Sequence, residues 1–284
     1  MLIAPEGQED FVVSAILQAF KDADLRKKII FTILMIIAYR IGAQIPSPGV
    51  DYASISGRLR SLTEESGNLY SVINLFSGGA LLQLSIFAIG IMPYITASII
   101  VQLLTVVIPH FEQLKKEGQS GQAKMTQYTR YLTLALALLQ SSGIVALADR
   151  EQLLGQGVPV LAEDRNFFTL IVLVITMTAG AILVMWMGEL ITEKGIGNGM
   201  SLMIFAGIAT RLPTDGVGIM QNNGGLVFAM VAAGLVVLVV GITFIEQGQR
   251  RIPVQYAKRM VGRRQYGGSS TYLPLKVNQA GVIP

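Results

Sequence analysis

Long stretches without a charged residue alternate along the chain with short segments that carry the charges. A helix needs about 20 apolar residues, at a rise of about 1.5 Å each, to cross a membrane. On this measure we predict six membrane-spanning helices, spans 1 to 6, at residues 29–45, 84–108, 131–148, 167–188, 195–210 and 226–245. Arg40 interrupts span 1, and its long side chain is expected to extend towards the membrane surface.

The uncharged stretch 66–111 is too long for a single crossing. Its second part forms span 2, in which Pro93 is expected to kink the helix. Its first part, 68–77, predicts a separate short helix, because apolar residues recur on one face at Leu69, Val72, Ile73 and Phe76. About ten residues cannot span a membrane. This helix therefore either lies in the membrane interface or enters it as a re-entrant element that lines a cavity.

The placement of basic residues predicts the orientation. When six spans alternate in direction, most of the 22 lysines and arginines fall on the side of the N-terminus, which is therefore predicted to be cytoplasmic. Residues 1–27 carry an apolar stripe and are interpreted as an amphipathic cytoplasmic segment. The apolar residues after Lys276 are interpreted as the start of a seventh span in a longer chain.

The composition agrees with a membrane protein and excludes every kind of site that depends on cysteine. Only 14% of residues are charged and the mean hydropathy is +0.55, whereas soluble domains carry roughly 25% charged residues. The absence of cysteine excludes a disulfide framework, a thiolate metal site and a cysteine nucleophile within these residues.

The middles of the predicted spans contain no Asp, Glu, Lys or His. Proton-coupled transporters, ion pumps and intramembrane proteases need ionisable or catalytic side chains at that depth. His110 lies at the loop end of span 2, and the glycine-rich stretch 195–199 lacks the lysine of a phosphate loop, so we interpret it as a turn. We predict no catalytic residue, no metal and no cofactor. A secondary transporter with inverted repeats and broken helices remains the alternative.

Basic residues crowd the segment 250–264, which contains no acidic residue. Three explanations remain open: the charge bias of cytoplasmic loops, binding of anionic lipid, and docking of an acidic partner, either a protein or ribosomal RNA. The residues concerned are Arg250, Arg251, Lys258, Arg259, Arg263 and Arg264.

Several ordered strings resemble the SecY family of protein-conducting channels. Among them are YRIGAQIPSPG at 39–49, NLFSGGA at 74–80, IFAIGIMPYI at 86–95, KEGQSG at 116–121, QYTRY at 127–131, WMGELITEKGIGNG at 186–199, GQRRI at 248–252, YAKR at 256–259 and LPLKVNQAGVIP at 273–284. The resemblance implies an all-α polytopic membrane protein with two inverted five-helix halves around an hourglass pore. This chain would then hold the first half (28–211), and residues 212–284 would hold the sixth span, a basic loop and the start of the seventh span.

The same resemblance implies roles for individual residues. It implies a pore ring at Ile91, Ile95 and Ile204, and a lateral gate, through which membrane segments leave, at Thr96 and Gln102. It implies a plug that seals the pore at 68–77, with Asn68, Leu69, Tyr70, Val72, Ile73, Asn74, Leu75 and Phe76. The basic residues of 250–264 would dock the partners.

The implied function is that of the pore-forming subunit of the general secretory translocase. It conducts unfolded polypeptides across the membrane and releases membrane segments laterally into lipid. The implied partners are the SecE and SecG subunits, the SecA motor ATPase, the ribosome, signal peptides, nascent polypeptides and membrane lipids. The implied location is the bacterial plasma membrane, or the thylakoid membrane for an organellar relative.

Overall fold

The computed structural model describes residues 22–50, 80–81, 83–151, 153, 160–161, 166–255, 259–261, 264–266 and 270–276. Its helices are α1 (Ala23–Gln44), α2 (Met92–Val107), α3 (Pro109–Lys116), α4 (Gln119–Asp149), α5 (Phe167–Lys194), α6 (Gly199–Asn223) and α7 (Gly225–Gln247). Its strands are β1 (Gln249–Gln255), β2 (Arg259–Val261), β3 (Arg264–Tyr266) and β4 (Ser270–Lys276). The chain divides after Pro213 into two compact units, which are described separately.

The first unit is built around α4. This helix packs against α2, α3 and α5. The helix α1 packs against α5. The buried positions of α4 recur at nearly every fourth residue and are mostly small or hydroxyl-bearing: Gly121, Met125, Thr129, Thr133, Ala137, Ser141, Val145 and Ala148. Small side chains on one stripe let neighbouring helices approach closely, which is how helices pack within a membrane.

Many large apolar side chains of these helices lie on the outside. On α1 the exposed residues include Ile30, Leu34, Ile37 and Ile41, whereas the buried ones are Thr32, Tyr39, Gly42 and Ala43. A water-soluble bundle has the opposite arrangement. The fold is thus mostly helical with an apolar exterior, as predicted.

Helices occupy all six predicted spans. By length and hydropathy, α4, α5 and α7 can each cross a membrane, and the bent pair α2–α3 counts as a fourth candidate. The helices at spans 1 and 5, α1 and α6, are long enough but do not meet the same hydropathy test among the described residues.

The start of span 2 differs from the prediction. Residues 83–91 are not helical, and α2 begins at Met92 with Pro93 in its first turn. Proline is well suited to that position because the missing N–H has no partner there in any helix. The predicted kink at Pro93 is therefore wrong. The bend, 99°, instead lies between α2 and α3, where Pro109 cannot donate the backbone hydrogen bond that would continue α2.

The turns before α2 are tied to the end of α1. The N–H of Ile86 donates to the carbonyl of Ile45 (3.0 Å), and the N–H of Ser47 donates to the carbonyl of Leu84 (3.0 Å). Leu84 is fully buried in a core cluster with residues of α4 and α5, among them Ala137 and Leu173. These bonds fix where α2 begins.

The second unit contains the end of α6 from Thr214 onward, α7 and the strands. β1 pairs antiparallel with β4 from Gln249↔Lys276 to Gln255↔Ser270, and β2 pairs antiparallel with β3. These strands were not predicted from the sequence, which indicated only a basic loop. Residues 1–21 of the predicted N-terminal amphipathic segment, the plug at 68–77 and the start of a seventh span after Lys276 lie outside the described residues. The helix α1 begins within that predicted segment, at Ala23.

Candidate functional site

An apolar cluster lies where the start of α2, the second half of α5 and the start of α6 meet. Ile91 is 8% exposed within this cluster, and Ile95 and Ile204 pack against it as half-buried residues. The three residues for which the resemblance implies a pore ring thus belong to this cluster or border it. The other buried members are Tyr39, Phe87, Val184, Met185, Met187, Ile191, Met200 and Met203.

Glycines on α5 and α6 allow the close approach that forms the cluster. A Cβ atom at Gly188 would overlap the sulfur of Met200 and would lie 3.6 Å from Cδ1 of Ile91. A Cβ atom at Gly199 would overlap the carbonyl oxygen of Gly188. The first turn of α6 therefore lies directly on the backbone of α5, beside Ile91.

A hydrogen-bonded turn connects α5 to α6, as the glycine-rich stretch 195–199 predicted. Gly197 takes a left-handed conformation (φ +68°), and Oδ1 of Asn198 caps α6 by accepting from the N–H of Met200 at 3.0 Å. Oγ1 of Thr192 accepts from the N–H of Gly199 at 2.9 Å. Oγ1 of Thr32, on α1, accepts from the N–H of Ile196 at 3.3 Å, so the turn is also joined to α1.

The two lateral-gate candidates both lie on α2 but point in different directions. Six residues separate Thr96 from Gln102, which places them about 120° apart around a helix. The hydroxyl of Thr96 is half-buried and donates to the carbonyl of Met92 (3.1 Å), whereas Gln102 is exposed. The structure does not bring these two side chains together.

The basic candidates of 250–264 lie on the β ribbon where they are described. Arg250 and Arg251 are adjacent and exposed on β1, so their side chains point to opposite faces. Arg250 pairs with Leu275 and Arg251 with Pro274 across the ladder. Arg259 and Arg264 belong to the short β2–β3 ladder. Lys258 and Arg263 lie outside the described residues, as do the eight plug candidates.

An ion pair between α4 and α5 was not predicted. Nε of Arg130 donates to Oε1 of Glu189 at 2.9 Å, and Nη2 donates to Oε2 at 2.8 Å. Each residue sits at the end of a predicted span, and 59 residues separate them, so no local spacing in the sequence links them. Glu189 follows Gly188 directly, which places the pair beside the apolar cluster.

Within the described part of the chain, no group of three or more His, Asp or Glu side chains is arranged to hold a metal ion. The site offers close-packed apolar side chains, one ion pair and a hydrogen-bonded turn. Such a surface can exclude water and ions, because it offers an ion nothing that replaces its hydration shell.

Comparison with known sequences identifies relatives over almost the whole chain. The model of the SecY family matches residues 85–284. The protein translocase subunit SecY of Corynebacterium glutamicum is 84% identical over 272 residues, which cover 96% of this chain and 62% of that protein. The subunit of the same name from Mycobacterium tuberculosis is 62% identical over 275 residues, with the same coverage of both chains. The chain thus spans less than two thirds of these relatives.

Comparison with solved structures identifies the same architecture at low sequence identity. A structure described as that of a protein conducting channel aligns with a TM-score of 0.54 and 16% identity, over 88% of this chain and 52% of that one. A second, described as one in which the plug domain of SecY stabilises the closed state, gives 0.55 and 18% over 90% and 54%. These alignments establish a shared fold.

Proposed function

The chain belongs to the SecY family, and we propose that it supplies the first part of the pore-forming subunit of a protein translocase. In the intact protein this subunit conducts unfolded polypeptides across the membrane and releases membrane segments laterally into lipid. Three features support the proposal: the membrane-type helical bundle, the non-helical segment 83–91 before α2, and the apolar cluster next to that segment.

The observation that carries the proposal is the meeting of Ile91, Ile95 and Ile204 around one apolar cluster. Branched apolar side chains adapt to the varied residues of a passing polypeptide and still exclude ions when they close on one another. A secondary transporter would instead require a polar or charged substrate site near the middle of the membrane. The cluster has the composition of a seal, so the translocase is favoured over the transporter.

A disulfide crosslink tests the position of the polypeptide path. The 284 residues contain no cysteine, so one can be introduced as Ile95→Cys in the full-length protein. A secretory polypeptide that also carries one cysteine is then stalled partway across the membrane. We expect a disulfide that forms only with the stalled substrate.

The control is Ile175→Cys, an exposed position on the outer side of α5 within predicted span 4. It is expected to give no crosslink under the same conditions. If a demonstrably stalled substrate reacts equally with both positions, or with neither, Ile95 does not line the path and the proposed function fails.

We further propose how the remaining regions contribute. Residues 68–77 act as the plug, and Thr96 and Gln102 contribute to the lateral gate. The exposed Arg250 and Arg251 of β1 support docking of the SecA motor or the ribosome at the β ribbon, and SecE and SecG complete the complex. The bacterial relatives support a bacterial plasma-membrane location, and the placement of basic residues supports a cytoplasmic N-terminus.

A further inference from the structure

The ion pair between α4 and α5 has a geometry that fixes orientation as well as distance. Two nitrogens of Arg130 donate to the two oxygens of Glu189, at 2.9 and 2.8 Å. The Glu189 side chain is only 18% exposed and that of Arg130 is 45% exposed. A two-pronged contact of this kind is stronger and more directional than a single charged hydrogen bond.

We propose that Arg130 is a positioning residue that holds α5, through Glu189, in the orientation that closes the isoleucine ring of the resting channel. This inference rests on the proposed function of Ile91, Ile95 and Ile204. It assigns to the ion pair a role in setting ion leakage, in addition to its contribution to helix packing.

The first step of the argument is the register between α4 and α5. A second polar contact joins the same two helices, because the hydroxyls of Ser141 and Thr178 lie 2.9 Å apart and are buried. From Arg130 to Ser141 is eleven residues, and from Glu189 back to Thr178 is also eleven, which is about three helical turns on each helix. The two contacts therefore hold one antiparallel register, and the ion pair controls its end nearest the ring.

The second step is the link from Glu189 to the ring. Glu189 follows Gly188, whose surface receives both Met200 of α6 and Ile91 before α2. Gly188 and Glu189 belong to one turn of α5. A rotation of α5 that breaks the ion pair therefore also moves the backbone against which Ile91 packs. An ångström-scale shift matters here, because a close-packed interface has no slack to absorb it.

The third step is Tyr94, in the first turn of α2. It packs against the apolar cluster and directly precedes Ile95. Arg130 lies on α4, which packs against both α2 and α5. The helix that α4 contacts on this side, α2, carries Ile95 and follows Ile91 directly.

The test is the resting ion conductance of the full-length channel complex in a planar bilayer without substrate. Arg130→Glu places two carboxylates opposite each other and is expected to raise the resting conductance about fivefold or more, whereas the swap R130E with E189R is expected to restore it to within about twofold. Arg130→Lys keeps the positive charge but cannot make two parallel hydrogen bonds to Glu189, so an intermediate increase in resting conductance is expected. Should R130E not assemble, Glu189→Gln removes the charge with little change of shape and is expected to leak as well.

The matched control lies on the same helix. Lys124 forms an exposed ion pair with Glu117 at 3.2 Å, and Lys124→Glu is expected to leave the conductance unchanged. If an assembled R130E or E189Q channel unfolds at a lower temperature but conducts like the parent, the pair has a packing role only and the inference is overturned. The Ile95→Cys crosslink separates this result from a failure of the proposed function, because it depends on the path and not on Arg130.

Discussion

The contact between Gly199 and the backbone of α5 makes a strong prediction for Gly199→Ala. The added methyl group would overlap the carbonyl oxygen of Gly188 and would lie 2.7 Å from Cβ of Ile191 and 2.9 Å from the N–H nitrogen of Thr192. Two of these three atoms are backbone atoms, which cannot rotate away as the end of a side chain can. The first turn of α6 must therefore move off α5, which also strains the 2.9 Å bond from the N–H of Gly199 to Thr192.

The size of the effect follows from the neighbours. Forcing an extra carbon into a closely packed site costs typically about 1–3 kcal/mol, and loss of the hydrogen bond to Thr192 adds about 1 kcal/mol. We therefore expect Gly199→Ala to destabilise the protein by about 2–4 kcal/mol. Gly188→Ala is expected to cost less, because the atom it meets first is the sulfur of a flexible methionine, Met200.

The assay is thermal unfolding of the full-length complex in detergent, with Gly143→Ala as the matched control. Gly143 lies inside α4, and a Cβ atom there would meet nothing within 4 Å. That control is expected to be neutral or stabilising by up to about 1 kcal/mol, since alanine favours a helix. If Gly199→Ala unfolds at the same temperature as Gly143→Ala, the backbone of α6 does not lie against α5 and the described cluster is wrong.

Three further predictions follow from other parts of the chain. Arg250→Glu with Arg251→Glu is expected to weaken binding of both SecA and ribosomes, measured by co-sedimentation, without changing the unfolding temperature; unchanged binding of both would contradict the docking role. Removing 68–77 is expected to raise resting conductance, and equal conductance with no substitute segment in the pore would argue against a plug. Thr178→Val is expected to destabilise the α4–α5 pair by about 0.6–1 kcal/mol, by loss of the bond to Ser141, measured against Thr243→Val on the exposed side of α7.

The positions of the helices could be predicted because a membrane imposes a simple rule. A charged side chain is costly inside lipid, so the uncharged stretches mark the spans. The rule says less about where a helix begins within such a stretch. Pro93 is compatible with a kink and with a first turn, and the choice depends on the hydrogen bonds between 83–91 and the end of α1. Those bonds join distant parts of the chain.

The β ribbon shows a different limitation. On β1 the apolar residues Ile252 and Val254 alternate with Arg251, Pro253 and Gln255, which is the period of a strand. The charges of this segment indicated a docking role instead. The strand forms because β4 supplies a partner in register, from Gln249↔Lys276 onward. Period-two alternation of apolar and polar residues within the basic segment is the sequence signal that indicates strand β1.

The ring candidates came from resemblance, and the pattern of residues alone would not have selected Ile91, Ile95 and Ile204 from the many isoleucines of the chain. What the structure adds is a reason for their positions. The break before α2 brings Ile91 against α5, and the glycine at 188 lets α6 bring Ile204 to the same cluster. The Arg130–Glu189 pair joins residues 59 positions apart, so it required the fold.

The packing around Ile91 also constrains how such a ring could open. Ile91 is buried next to the backbone of α5, since a carbon added at Gly188 would be in van der Waals contact with its side chain, at 3.6 Å. Close packing leaves a buried side chain such as Ile91 little room to change rotamer while α5 keeps its position. Opening must then involve movement of a helix, either α2 away from α5 or α5 relative to α4. Two described polar contacts between α4 and α5, Ser141–Thr178 and Arg130–Glu189, resist the second movement, and Arg130–Glu189 is the one beside the apolar cluster. An ion pair that can break and re-form beside the apolar cluster is therefore the contact that we propose to set how easily the ring of the proposed channel opens.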